Sequence, residues 1–310
     1  MDYGVHLPLI DFDGEPFTLD RLSIYTETAE RLGYSAISAN DHMVFSKPWL
    51  DGPTALASVI NKTGSMTLGT TVALPVMRGP VPLAKALIAI DLLSEGRLFV
   101  GVGPGSSPRD YESVGIPFGE RWKRLDEAIM ALRVHLKNEV GLSKGSFYST
   151  EGIVLEPKPF RMCGPKIFVG SWGSEFGLRR AARLGDGWLA SAYNTTPKLF
   201  GSALKKLDEY LITFGKAPEN FPNAIASMFM YVTGDARKAK RVLRDVVSPT
   251  LKRAEREVED RLLIGSCDAC AEKLSAFKRA GAQRIFLWPV ADELTQLEIF
   301  MHEVVPIAHQ

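Results

Sequence analysis

Cysteine is scarce, with only Cys163, Cys267 and Cys270 in 310 residues. Three thiols cannot make the disulfide framework of a small secreted domain or a four-cysteine zinc site. Long apolar runs are missing too. The best stretch, Leu83 to Leu93, is broken by Lys85 and Asp91, well short of the roughly 20 apolar residues a membrane-spanning helix needs. Nor is there an excess of one charge: 37 basic side chains face 36 acidic ones, a net charge of +1. No global field therefore favours nucleic acid or an anionic membrane as a partner. Basic residues between Arg237 and Arg261 are interleaved with Asp245, Glu255, Glu257, Glu259 and Asp260, as on a solvated helical face. The amino terminus shows no basic segment followed by an apolar run, so no export signal is expected, and a cytoplasmic location is. No His, Asp and Glu spacing points to a metal centre, and no Gly-x-Ser-x-Gly elbow points to a hydrolase.

What is present is an alternation of strand-like and helix-like segments. Strands are expected at Tyr3–Leu9, Ser35–Ala39, Met66–Leu74, Leu98–Val102, Lys166–Gly170, Trp188–Ala190, Asn223–Thr233 and Arg284–Leu287. Runs such as Leu98-Phe99-Val100 suit strands buried on both sides. Between strands four and five, Trp122, Leu125, Ile129, Leu132 and Leu136 form one helical stripe. Thr196 and Pro197 read as the cap and first residue of another helix. Residues 137–165 interrupt the rhythm with Gly141, Gly145, Gly152, Pro157, Pro159 and Gly164, and read as an insertion with one hairpin. Eight βα units predict an α/β fold, a (β/α)8 TIM barrel with an insertion between helix four and strand five. No Pro/Ser-rich linker divides the chain, so residues 1–310 are expected to form one domain.

In such barrels function sits in the loops after the strands. After strand two comes Asn40-Asp41-His42, where a histidine can move a proton near neutral pH or serve only in loop packing. The strand-three exit, Thr71-Val72-Ala73-Leu74 on to Arg78, offers an apolar wall for an aromatic ring or ordinary core. After strand four, Gly101-Val102-Gly103-Pro104-Gly105-Ser106 resembles a dinucleotide fingerprint but lacks its last glycine and the immediate helix. A glycine-lined floor beneath a flat ring suits it better. After strand five, Ser171-Trp172-Gly173-Ser174 runs into a helix, whose free N–H groups can cradle a phosphate, and Ser174 reads equally well as a plain cap. Cys267 and Cys270 have redox-motif spacing at a helix start without a thioredoxin setting. His6 reads as a core histidine, and Gly185-Asp186-Gly187 lies at the stability face of the barrel.

Four segments in order resemble the bacterial luciferase-like superfamily of flavin- and deazaflavin-dependent oxidoreductases. They are Asp41-His42; Leu68 to Val72 leading to Arg78; Leu93-Ser94-Glu95-Gly96-Arg97 through Gly103; and Ala182-Arg183-Leu184-Gly185-Asp186-Gly187-Trp188. The Asp-His pair resembles the branch that uses coenzyme F420. That resemblance implies a hydride transfer between F420 and a small organic substrate, with Asp41 at the cofactor and His42 moving the proton. It also implies a cis peptide at Thr71-Val72, and a phosphate held by Gly173, Ser174, Phe176 and Gly177. The chain departs from the deazaflavin sugar-phosphate dehydrogenases at Ser106 (a catalytic glutamate there), Leu74 (a threonine) and Arg109 (an asparagine). Two rival readings remain: an FMN-dependent monooxygenase using oxygen and a partner flavin reductase, and a non-catalytic flavin-binding protein. A homodimer is a family-based expectation. Arg109 and Trp49 are candidates for the substrate mouth.

Overall fold

Strand formation follows the apolar runs closely. In a computed structural model, which describes residues 1–12, 14–137 and 144–309, nine parallel strands form one sheet. They are β1 (Asp2–His6), β2 (Ala36–Ala39), β3 (Thr67–Ala73), β4 (Leu98–Val102), β5 (Lys166–Gly170), β6 (Gly187–Ser191), β7 (Asn223–Val232), β8 (Leu263–Gly265) and β9 (Arg284–Pro289). Neighbours pair in sequence from β1 to β7, β7 pairs with β9, and β9 returns to β1. Eight strands thus close a barrel wrapped by helices, the expected architecture. Short β8 hangs on the outer edge of β7 through Met230, Tyr231 and Val232. It was not expected, because three residues inside a charged stretch leave no readable period.

The interior of the barrel is plugged by aromatic rings set opposite residues without side chains. Phe99, Phe168 and Phe286 cluster with Ala36, Leu189 and Ala224. A Cβ on Gly69 would lie 2.1 Å from the Phe99 ring, and one on Gly4 would lie 2.7 Å from Phe286. Large side chains on some strands thus fill space that glycine leaves on others. Beyond this layer lies the mouth at the carboxyl ends of the strands.

The helices show their expected caps. Thr196 accepts from Leu199 N ahead of the helix Pro197–Thr213. Two expectations are corrected. Trp122 belongs to no buried stripe; it is 40% exposed, and the guanidinium of Arg180 lies 4.8 Å from its ring. The helical run after β7 continues through Ala236–Val242, a π-turn and Ser248–Leu251, and ends where Lys252 takes a left-handed conformation with φ 52°, before the short helix Glu255–Val258. Of the segment 137–165, residues 138–143 lie outside the described residues. Lys144 and Ser149 form one antiparallel bridge, and Glu127 accepts from the backbone N–H groups of Ser146, Phe147 and Tyr148. At the opposite face from the mouth, Asp186 accepts from Ile167 N and pairs with Arg133 and Lys137. No described helix is long and apolar enough to cross a membrane.

Candidate active site

Short strand-to-helix connections bring five strand exits around one cavity of about 360 Å³. At the β2 exit, Asp41 is buried. Its carboxylate is gripped from both sides by Arg78, whose Nε and Nη2 each donate at 2.6 Å. It also accepts from Leu74 N at 3.3 Å. Arg78 donates to Asp51 as well, so the two carboxylates share one cation. Breaking such a buried pair strands a charge away from water, which makes this network a rigid mount for the β2 loop.

His42 follows on that mount. Its Nδ1 lies 2.9 Å from Asp110 Oδ2, and Asp110 is fully buried. The same carboxylate accepts from Val44 N at 2.7 Å. A carboxylate acceptor at Nδ1 holds the ring in the tautomer that leaves Nε2 with its lone pair. The imidazole is flanked by Phe45 at 4.9 Å and Trp49 at 4.6 Å between ring centroids. Asp110 was not singled out from sequence, since it lies 68 residues from its partner and carries no spacing signal.

At the β3 exit the register shifts between Thr70 and Ala73, and the Thr71–Val72 peptide is cis. Val72 stands into the cavity. Only residues without side chains fit beside it: a Cβ on Gly103 would come within 2.8 Å of Val72 Cγ2. At the β5 exit, Ser174 caps the helix Glu175–Leu184 by accepting from Gly177 N, and Ser171 Oγ accepts from Gly173 N at 3.2 Å. Ser171, Ser174 and Gly177 all line the cavity. Arg121 lines the same side, its guanidinium 4.0 Å from the Phe118 ring. Among the described residues it forms no ion pair, so the cavity presents one unneutralised positive charge beside a helix N-terminus. Such a pairing favours an anionic group.

A model of the luciferase-like monooxygenase family matches residues 7–284. The chain belongs to that family. Among relatives of this luciferase-like chain is the F420-dependent hydroxymycolic acid dehydrogenase of Mycobacterium tuberculosis (strain ATCC 25618 / H37Rv). It is 33% identical over 57% of this chain and 51% of its own length. The chain thus spans about half of that relative. In fold it is similar to an F420-dependent secondary alcohol dehydrogenase in complex with an F420-acetone adduct, with a TM-score of 0.85, 17% identity and coverage of 100% and 99% of the two chains. It is also similar to the oxygenating constituent of 3,6-diketocamphane monooxygenase of Pseudomonas putida in complex with FMN, with a TM-score of 0.74, 18% identity and coverage of 99% and 98%.

Of the site residues expected from this luciferase-like sequence, Asp41, His42, Thr71, Val72, Leu74, Gly105, Ser106, Ser171, Trp172, Ser174 and Gly177 line the cavity. Ala73, Arg109, Gly173 and Phe176 do not. Ala73 is buried in the sheet and Phe176 is 85% exposed. Sequence reasoning missed Asn40, Arg121, Tyr193 and Ser227. Ser227 marks a β7 bulge, with φ 57° and a register shift between Ile225 and Met228, a device common beside active sites. The cysteine pair is moved away from redox chemistry: burial pushes the Cys270 thiol up to about 12. Burial, with the Glu303 carboxylate beside it, also raises Cys267.

Proposed function

We propose that this chain is an oxidoreductase that transfers a hydride between coenzyme F420 and a small organic substrate. The observation that carries the reading is the His42–Asp110 pair opening onto an apolar, glycine-floored cavity with Arg121 and a helix N-terminus at one end. The residues fit a flat phosphorylated heterocycle. Val72 backs the ring position, the absence of a side chain at Gly103 keeps the floor open, and the Ser174 helix start with Arg121 suits the phosphate. Bound there, the deazaflavin would supply a carbon that accepts or gives a hydride.

The chain's own residues do the rest. His42 Nε2 takes the proton of a substrate hydroxyl during oxidation, or returns it during reduction, while buried Asp110 stabilises the imidazolium that forms. The Arg78 grip on Asp41 fixes the loop carrying His42, and Phe45 and Trp49 exclude water from the imidazole. Mass spectrometry of the cofactor retained after purification from a host that makes both F420 and FMN tests the reading. Retained F420 is the expected result, and FMN alone would replace this reading with the flavin monooxygenase one.

A further inference from the structure

A buried histidine beside the cavity-lining Asn40 takes no part in the proposed proton transfer. His6, the last residue of β1, is fully buried. Its ring stacks on Trp288 of β9, with centroids 3.6 Å apart and planes 13° from parallel. Its Nδ1 lies 2.7 Å from Leu7 O. A carbonyl only accepts, so Nδ1 carries the proton, and in the neutral ring Nε2 is a bare acceptor. Burial drives the imidazole's pKa down to about 3, against smaller opposing effects of the Leu7 carbonyl and the adjacent Asn40 side chain. The ring is therefore neutral across the physiological range.

Asn40 stands beside it and lines the cavity next to Asp41 and His42. His6 Nε2 and Asn40 Oδ1 are both buried without a hydrogen-bond partner. Both are acceptors, and neither can satisfy the other. An unmade buried hydrogen bond costs more than a made one gains. Turning the Asn40 amide by half a revolution removes the conflict, because Nδ2 then donates to Nε2 and Oδ1 faces the cavity.

We propose that His6 is a positioning residue: its bare Nε2 accepts from Asn40 Nδ2 and so presents Asn40 Oδ1 to the cavity as an acceptor for an N–H or O–H of the bound ligand. The donor is either an N–H on the cofactor ring or a hydroxyl on the substrate. This ligand half of the proposal rests on the functional reading above; the His6–Asn40 pair does not.

The pair is tested on the ligand-free full chain, carrying 15N in its histidine rings and asparagine side-chain amides. The expected result is a scalar coupling across an N–H···N bond between an asparagine amide and a histidine Nε2, lost in both His6→Phe and Asn40→Leu. Absence of that coupling, with both groups assigned, overturns the proposal. His6→Gln is the second variant if the phenylalanine disturbs folding, and near-UV circular dichroism checks both. The ligand half is read by titrating F420 and FMN into each variant. Affinity weakened about fivefold, the worth of about one hydrogen bond, assigns the donor to the cofactor. Unchanged affinity with a KM raised by a similar factor assigns it to the substrate. Variants that bind and turn over like the parent overturn the ligand half. A coupling seen in a protein that binds neither cofactor would sink the functional reading while leaving the pair intact.

Discussion

The two halves of the barrel mouth are built from the same strand ends yet hold opposite contents. On the β1 and β9 side, His6 and Trp288 stack, and Phe12, Phe229 and Trp49 pack around the indole at 6.3, 5.1 and 5.7 Å between centroids. That half is solid. On the β4 and β5 side the strands run out into Gly103 and Gly170, and space opens over Val72. Side-chain volume at the last strand positions therefore decides which sector of a symmetric scaffold takes a ligand. His42 stands on the border, lining the cavity with one face and touching the aromatic packing with the other.

The comparison can be broken from the sealed side first. Trp288→Ala removes the ring at the centre of the packed half, and the stability measured by urea denaturation should fall by about 3–5 kcal/mol. A loss below about 1 kcal/mol would mean this half is loosely filled. At the border, His42→Ala should lower turnover by about 100-fold or more and leave cofactor affinity within about threefold; steady-state kinetics and titration separate the two. Unchanged turnover removes His42 from the mechanism.

On the open side, a Cβ at Gly177 would sit 2.2 Å from Ser171 Oγ and 3.0 Å from Ser174 Oγ. Gly177→Ala should thus push both hydroxyls out of place and weaken cofactor binding about tenfold, near 1.4 kcal/mol, with little change in Tm. The smallest effect is on pH. His6 is depressed from 6.5 to about 3 in the fold, so the unfolded chain takes up the proton first as pH falls. Its contribution is present above the unfolded value and is lost as pH drops toward the folded one. Between about pH 6 and pH 5 this should cost the parent about 1 kcal/mol relative to His6→Phe. Parallel stability curves for the two proteins would contradict the burial of a neutral ring.

The open half was largely legible in the sequence and the sealed half was not. Glycines after β4 and β5, Asp41-His42 and the cap at Ser174 announce themselves by residue type and by place in a βα rhythm. Asp110 gives no local sign of meeting His42, because that contact is made between two different strand exits. The His6–Trp288 stack joins the first strand to the last and exists only once the barrel closes. Gly173 and Phe176, which the family pattern assigns to the phosphate end, sit beside cavity-lining Ser174 and Gly177 without lining the cavity themselves, and Gly173 takes φ 91° in the turn. Trp122 fits a helical stripe by spacing, yet it lies at the rim, stacked against arginines.

The most direct test is the pair of dissociation constants for F420 and FMN, measured by fluorescence titration of the purified chain. Micromolar or tighter affinity for F420, at least about tenfold stronger than for FMN, is the predicted result. Tight FMN with no detectable F420 binding, or no binding of either, would contradict a deazaflavin site over Val72.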